Sequence, residues 1–206
     1  MFMSEELTAR HAGRRRALIA AAREVVSNDG FAGLQMLSVA AAAGTAVGTI
    51  YRYFPSKAEL CAALVAEVSA RELQVLSEVS ESGAPPAEAL AAAVAVFARR
   101  AMADRRLAYA MIAEPVEPAV DAQRLIWRAR IGEALAAVVA RGQRAGVFRR
   151  CAPRLAAACI TGAFMEALVG PLSPTADAGD PAALADEIAA LCQAMMTNNE
   201  TPGATP

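Results

Sequence analysis

The sequence predicts an all-α protein of about nine helices. Alanine fills 53 of the 206 positions, whereas there are only six Phe, three Tyr and one Trp. The apolar share of 56% therefore consists largely of a strong helix former. Apolar side chains recur at the three- and four-residue spacing of amphipathic helices, and glycines and prolines separate these stretches from one another.

The first helix is predicted at residues 14–28. Leu18, Val25 and Val26 have helical spacing, and Gly30 stands where a left-handed residue commonly ends a helix. We expect the residues before this helix, which include the only histidine, His11, to form a loose arm.

Two shorter helices are predicted next, at residues 36–43 and 46–53. Gly44 separates them, and Pro55 ends the later one because proline disfavours a helical conformation in the residue before it. Thr45 is expected to cap the later helix. The three helices fit within residues 1–58, which we interpret as one small domain.

Six further helices are predicted within residues 59–197, which we interpret as a second domain. Ser56 and Glu59 form an S-x-x-E capping box that opens a long fourth helix. Asp104 and Asp180 are candidate N-caps of later helices. Together with the prolines and glycines, these residues place the last five helices at about 86–102, 104–114, 118–144, 153–169 and 181–196.

The composition argues against several classes of protein. With His11 as the only imidazole, Ser-His-Asp triads and histidine-built metal sites are excluded, and we expect no enzyme activity, no metal and no cofactor. The longest uninterrupted apolar runs are shorter than the ~20 residues of a membrane span, and no apolar signal-peptide core follows the N-terminus. A cytoplasmic protein without a membrane partner is expected, with a disordered tail at residues 198–206.

The four cysteines, at positions 61, 151, 159 and 192, lack the C-x-x-C spacing of metal and redox sites. We expect them to be small buried side chains. The alternative is a redox sensor in which Cys151 or Cys159 is exposed and reactive.

The net charge of −1 conceals an asymmetry along the chain. Residues 1–58 carry seven basic and four acidic side chains, a net +3, while residues 59–206 carry thirteen and seventeen, a net −4. A basic front part is a weak electrostatic signature of a phosphate-binding module.

A helix-turn-helix motif is indicated by Ala40, Gly44 and Ile50. The small Ala40 lets two helices cross closely, Gly44 can adopt the positive φ of a tight turn, and Ile50 anchors the second helix in the core. The segment 48–60, GTIYRYFPSKAEL, adds hydroxyl, phenol and cationic donors around a helix end. Such a surface suits phosphate groups.

With these residues, the segment 14–60 resembles the DNA-binding domain of the tetracycline-repressor (TetR) family of bacterial regulators. The resemblance implies that the first three helices bind DNA and that the other helices form a ligand-binding and dimerisation domain. It also implies a homodimer formed through helices eight and nine, which suits a palindromic operator.

The resemblance places Val47, Gly48 and Thr49 where the family's recognition helix meets the major groove. Val47 offers only methyl groups, which suit a thymine methyl, and Lys57, the only lysine in the chain, is expected on a phosphate. The alternative for the two tyrosines of this segment is a core aromatic role. The arginine run at 14–16 fits either a contact with phosphates or the minor groove, or a solvated face. The full predicted DNA-binding set is Thr45, Val47, Gly48, Thr49, Tyr51, Tyr53 and Lys57.

A ligand pocket is expected in the second domain, because a few large side chains in an alanine-rich bundle leave a void. Each candidate taken alone also fits an ordinary core. The candidates are Phe97, Met102, Tyr109, Met111, Trp127, Phe164 and Met165. A second set of charged residues fits either a polar group on the ligand or surface ion pairs, namely Arg105, Arg106, Glu114, Arg124 and Arg128.

The favoured interpretation is a sequence-specific regulator of transcription, a repressor that a small-molecule effector releases from a double-stranded DNA operator. The alternative from another class is a helical ligand-binding or scaffold protein that no longer engages DNA. Binding to DNA from beside the protein's own gene distinguishes the two.

Overall fold

The computed structural model describes residues 2–177 and 179–197, with the side chains of residues 2–8 left aside. The described residues form nine α-helices and contain no strand, which confirms the predicted fold class. The predicted disordered tail at 198–206 lies outside them. The helices are α1 (Phe2–Gly33), α2 (Met36–Ala42), α3 (Val47–Tyr51), α4 (Lys57–Ser80), α5 (Pro86–Ala103), α6 (Arg105–Ile112), α7 (Pro118–Arg144), α8 (Pro153–Leu172) and α9 (Pro181–Ala194).

Helix α1 begins much earlier than the sequence indicated. The prediction of a loose arm before residue 14 is wrong, because helix formers without an intervening proline continue the helix back to Phe2. Gly30, expected just beyond the helix end, has φ 71° and ψ −173°, and a last turn follows it to Gly33. The arm residue His11 is thereby fixed in space rather than free.

Three of the predicted caps are confirmed. The Ser56 hydroxyl accepts a hydrogen bond from the Glu59 amide at 3.1 Å, and Asp104 accepts one from the Leu107 amide at 3.2 Å. Asp180 caps α9 by accepting the amides of the first turn. The prediction for Thr45 is wrong: Ala46 occupies the N-cap position of α3 and makes no side-chain cap bond.

A first group of buried side chains, the front core, is formed by residues of α1, α2, α3 and α4. Ala40 and Ile50 are 3% and 0% exposed, and Gly44 has φ 58°, as the helix-turn-helix spacing predicted. Leu107 from α6 and Val120 from α7 also pack into this core. Residues distant in sequence therefore complete the packing of the small front domain.

The rear core is built around α5. Half of the residues of this helix are buried, and it packs against α4, α7, α8 and α9. Two aromatic rings, Phe97 and Phe164, meet in its centre with centroids 4.9 Å apart. Burial of these apolar side chains is the main force that holds the bundle together.

Helix α8 is unusual in its composition. In the part of the chain that the structure describes, it is the only helix long and apolar enough to match a membrane span, with a mean hydropathy of 1.6. The uninterrupted apolar runs in the sequence are shorter than this helix because Arg154, Thr161 and Glu166 lie within it. One face of α8 packs into the rear core through Ile160, Phe164 and Leu168, and its opposite face is exposed.

Candidate nucleic-acid interface and ligand cavities

Helix α3 is presented at the surface by the front core beneath it. Ile50 anchors it, while Gly48 is exposed and the Tyr51 side chain is 50% exposed. Val47 and Thr49 are partly exposed on the same short helix. Tyr51 is therefore not a core aromatic residue, and its phenol group is accessible to a binding partner.

Further polar side chains surround α3. Tyr53 is partly buried because its ring lies 4.5 Å from that of His11. Thr45 is partly exposed in the turn before α3, and Lys57 is partly exposed at the first position of α4. All seven predicted residues thus lie on α3 or in the segments beside it, and Val47 and Tyr53 also pack against the front core.

Helix α1 carries the arginine run at 14–16 and brings His11, which the sequence interpretation did not place at this surface, next to Tyr53. The Arg15 guanidinium lies 4.9 Å from the centre of the Phe54 ring, one helical turn from His11. Arg14 and Arg16 are exposed beside it. The spacing of four between His11 and Arg15, combined with continuous helix formers, is the signal that predicts a shared face. A cationic and imidazole face of α1 therefore adjoins the candidate interface.

A polar junction connects the front domain to α6. The Glu114 carboxylate, 7% exposed, accepts the backbone amides of Phe31 and Ala32 at 3.2 and 3.0 Å. Arg106 lies 3.8 Å from Glu114 and donates to the Asp29 carbonyl at 2.7 Å. The positive φ of Gly30 and the absence of a Cβ there leave room for this carboxylate.

Arg124 completes the junction from α7. It is 7% exposed, donates to the carbonyls of Ala110 and Glu114, and lies 5.8 Å from the centre of the Phe31 ring. Burial lowers the pKa of its guanidinium, an effect opposed by the charge of Asp121. Arg106, Glu114 and Arg124 were candidates for contacting an effector. The structure places Glu114 and Arg106 in the contact between domains, while Arg124 donates within the rear domain and contacts the front domain only at the Phe31 ring.

The two remaining charged candidates lie elsewhere. Arg105 donates to the carbonyls of Pro171, Ser173 and Ala176, and so fixes the end of α8. Arg128 donates to the Ile112 carbonyl at 2.9 Å and also lines a cavity.

One cavity, called the larger cavity, lies between the end of α6 and helices α7 and α8. It has a volume of about 670 Å³. Its walls include Ile112, Arg128, Gly132, Thr161, Gly162 and Met165. This volume is in the range of small-molecule sites.

A smaller cavity of about 370 Å³ lies where α1, α4, α5 and α6 meet. Phe97 and Met111 form part of its apolar floor, and Arg23 and Arg100 stand among its polar residues. Arg100 is already paired with Glu72 through two hydrogen bonds of 2.7 Å, which raises the pKa of its guanidinium.

The predicted pocket residues divide between these cavities and the core. Met165 lines the larger cavity, Phe97 and Met111 line the smaller one, and Trp127 joins these three around a void of about 60 Å³. Met102, Tyr109 and Phe164 lie outside all three spaces. Met102 and Phe164 are ordinary core residues, since their side chains are 6% and 0% exposed.

The cysteines do not share one environment. Cys61 and Cys192 are buried as expected, and desolvation raises the pKa of each thiol to about 11. The expectation of burial is wrong for Cys151 and Cys159, which are exposed in the single chain. Among the described residues, no three His, Cys, Asp or Glu side chains group closely enough to hold a metal.

A thiol-labelling experiment checks these environments. Because the pKa of each buried thiol is raised, both remain protonated below pH 9, and this contribution to stability is lost only as the pH rises toward 11. With iodoacetamide at pH 8, we expect Cys61 and Cys192 to stay unmodified while Cys151 reacts, and all four to react in denaturant. Mass spectrometry of the peptides gives the result, and native labelling of Cys61 or Cys192 as fast as that of Cys151 contradicts it.

Two models of one protein family match this chain. A family model described as bacterial regulatory proteins, tetR family, matches residues 18–64, and one described as tetracyclin repressor-like, C-terminal domain, matches residues 83–168. The HTH-type transcriptional repressor KstR of Mycobacterium tuberculosis is 35% identical over 77 residues. That match covers 37% of this chain and 35% of the repressor, so the chain spans about a third of the length of this relative.

Solved structures share the complete architecture. The transcriptional regulator FadR from Bacillus subtilis, in complex with stearoyl-CoA, superposes with a TM-score of 0.75 at 23% identity, covering 87% of this chain and 98% of FadR. A TetR-family transcriptional regulator from Agrobacterium tumefaciens gives 0.74 at 18% identity, with 91% and 100% covered. At these identities, the two structures show a common fold.

Proposed function

Because the chain belongs to the tetR family of bacterial regulatory proteins, we propose that it is a homodimeric repressor that binds an operator sequence and is released by a small molecule. The observation that carries the proposal is the exposed helix α3 with hydrogen-bond donors gathered around it. The proposed function involves no chemical step, and its place is the cytoplasm, where bacterial DNA lies.

The proposed DNA contacts follow from the chemistry of each side chain. Val47 contacts a thymine methyl group in the major groove. Gly48 has no side chain, which lets the backbone of α3 approach the bases closely. The hydroxyl, phenol and ammonium groups bind phosphates, which position the helix on the duplex. These groups belong to Thr45, Thr49, Tyr51, Tyr53 and Lys57.

A mobility-shift assay tests the DNA contact. Replacing Lys57 with Ala removes one phosphate contact, so we expect weaker binding to the DNA that flanks the protein's own gene. Because the dimer carries two copies of Lys57, one on each half-site, the slope of log affinity against log salt concentration should fall by about 2. Titrations at several salt concentrations measure both quantities.

The matched control is Arg144→Ala, which removes an exposed cation at the end of α7. It should leave affinity and slope unchanged. Equal salt slopes for wild type and Lys57→Ala contradict the phosphate contact. Failure of the wild type to shift any flanking fragment in dilute buffer supports the helical ligand-binding alternative instead.

The proposed dimer interface lies on α8 and α9. Leu155, Cys159, Ala163 and Ala167 recur every four residues along the exposed face of α8, and Leu155 is 66% exposed. Small side chains at this spacing let helices approach closely.

Helix α9 supplies a similar stripe. Ala183, Ala190, Leu191 and Ala194 lie on one exposed face together with Glu187, and Leu191 is 64% exposed. Pairing α8 and α9 with their copies across a two-fold axis forms a four-helix interface and covers both apolar stripes. The two copies of α3 are then available to two half-sites of one operator.

The proposed release depends on two routes between the domains. Helix α4 runs without interruption from Lys57 beside α3 to Ser80 beside the rear core. Helix α6 forms the second route, since Glu114 lies just beyond its end and holds the end of α1. An effector that shifts either helix changes the separation of the two recognition helices.

A further inference from the structure

We propose that Arg52 determines part of the operator sequence by hydrogen-bonding to a guanine base in each half-site, through the major groove. The inference rests on the function proposed above, because it concerns the same DNA-binding surface. It adds a base contact outside the seven predicted DNA-binding residues, and it names a base that the operator must contain.

Arg52 lies near the centre of the outward face of α3. Ile50, the buried residue of this helix, is 0% exposed and packs into the front core. Because successive helical residues are about 100° apart around the axis, the direction opposite Ile50 falls between Gly48 and Arg52. Both of these residues are exposed, whereas Val47 packs against the front core at the side of the helix. In a major groove, the outward face of α3 is the one that meets the base edges.

The course of the backbone directs the Arg52 side chain along this face. Arg52 follows the last residue of α3 with helical dihedral angles, φ −70° and ψ −24°. Side chains of a helix lean toward its N-terminus, over the residues three and four positions earlier. For Arg52 these residues are Thr49 and Gly48, in the first turn of α3. The N-terminal part of a recognition helix contacts the bases, so the long arginine side chain brings its guanidinium to the level of the bases.

Gly48 leaves space for this side chain. Its φ is not positive, so the backbone does not require glycine there, and a Cβ built on it would contact no neighbouring group within 4 Å. Glycine is also one of the least favourable residues in a helix. The DNA contact explains its presence, because the aliphatic part of Arg52 can lie along α3 at this position without holding the helix away from the bases.

The guanidinium of Arg52 is available to a base. Arg52 is exposed, and none of the ion pairs between described residues includes it. Two N–H groups of a guanidinium match the O6 and N7 acceptors of guanine, which is the commonest specific contact in the major groove. The donors Thr45, Tyr53 and Lys57 lie in the segments before and after α3, where they suit phosphates. The central position of Arg52 therefore favours a base over the backbone of the DNA.

A mobility-shift assay with 7-deazaguanine tests this contact. The DNA that flanks the protein's own gene is amplified either with dGTP or with 7-deaza-dGTP, in which a C–H group replaces the N7 acceptor. We expect wild type to bind the 7-deazaguanine fragment roughly tenfold or more weakly, since one hydrogen bond is lost in each half-site. Arg52→Ala should weaken binding to the unmodified fragment at least about 30-fold, through two lost base contacts. It should also bind the two fragments with nearly equal affinity.

Lys57→Ala is the matched control, because it removes a cation that is expected on a phosphate. It should weaken binding to both fragments by the same factor and so keep the wild-type ratio of affinities. Thermal unfolding followed by circular dichroism should give the same unfolding temperature for Arg52→Ala and wild type, since the side chain is exposed.

Gly48→Ala separates a role in DNA binding from a role in folding. Alanine favours the helix and has room at this position, so the variant should unfold at the same or a higher temperature than wild type. Its affinity for the unmodified fragment should nevertheless fall. A lower unfolding temperature shows that the fold requires glycine and overturns the assignment of Gly48 to the DNA contact.

Two results overturn the guanine contact. One is an Arg52→Ala protein that keeps the wild-type ratio of affinities for the two fragments, and the other is a wild-type protein that binds both fragments equally well. In either case, wild type that still shifts the unmodified fragment refutes this inference alone. Wild type that shifts no flanking fragment in dilute buffer refutes the proposed function, and the guanine contact with it.

Discussion

Replacing Leu191 with Glu is expected to convert the dimer into monomers and to weaken operator binding a hundredfold or more. The leucine is 64% exposed on the α9 stripe, where the two-fold interface would bury a charge without a partner. Two linked recognition helices bind on the order of a hundredfold tighter than one alone. Sedimentation velocity and mobility-shift titration measure the two effects.

The control for this prediction is Leu125→Glu. Leu125 is 59% exposed on α7 and belongs to neither the α8 nor the α9 stripe, so the same substitution should leave both the dimer and DNA binding intact. The Cys159 thiol provides a second measure, because it lies on the α8 stripe. It should resist iodoacetamide in the wild-type dimer and react in the Leu191→Glu monomer. An unchanged sedimentation coefficient for Leu191→Glu shows that the interface lies elsewhere.

Replacing Glu114 with Ala is expected to destabilise the protein by about 3 kcal/mol. The substitution leaves the Phe31 and Ala32 amides without their acceptor and removes the carboxylate that lies near Arg106. For a chain of this length, such a loss lowers the unfolding temperature by roughly 6–12 °C. Urea and thermal unfolding followed by circular dichroism measure the change.

The comparison variant is Asp186→Ala, which removes an exposed ion pair with Arg99. Surface pairs contribute about 0–1 kcal/mol, so this variant should unfold close to wild type. Glu114→Gln keeps an oxygen acceptor and should lie between Glu114→Ala and wild type. A Glu114→Ala protein as stable as Asp186→Ala shows that the polar junction does not hold the domains together.

Much of the fold could be predicted because its determinants are local. Ser56, Asp104 and Asp180 each cap the helix that follows by a bond to an amide two or three residues away. Gly44 adopts the positive φ that the turn requires. Such signals act within one helical turn, so they are visible in sequence order.

The errors at the front of the chain have a different cause. Thr45 is a plausible cap by residue type, but the chain takes its helix start from Ala46. The residues before Arg14 continue α1, and the position of His11 against Tyr53 depends on how α1 crosses α3. The helix propensities of the residues give no information on how the two helices cross.

The candidate DNA-binding residues and the cavity residues differ in how far the sequence could predict them. The seven residues of the predicted DNA-binding set lie close together in sequence, so the helix-turn-helix spacing was enough to group them. The cavity residues come from α6, α7 and α8, and Thr161 has no sequence feature that distinguishes it from a threonine with a bonded hydroxyl. Only the packing around it shows that its Oγ1 lacks a partner.

The order of the helices, most of their ends and the presence of a DNA-binding motif were determined by the sequence alone, since caps, turns and the spacing of Ala40, Gly44 and Ile50 act over short distances. The tertiary structure decided which side of each helix is covered. In alanine-rich helices such as α8 and α9, apolar residues occur on every side, so periodicity does not distinguish the face that packs from the face that stays exposed. Contacts between residues more than 80 positions apart, such as Glu114 with Phe31, make that choice.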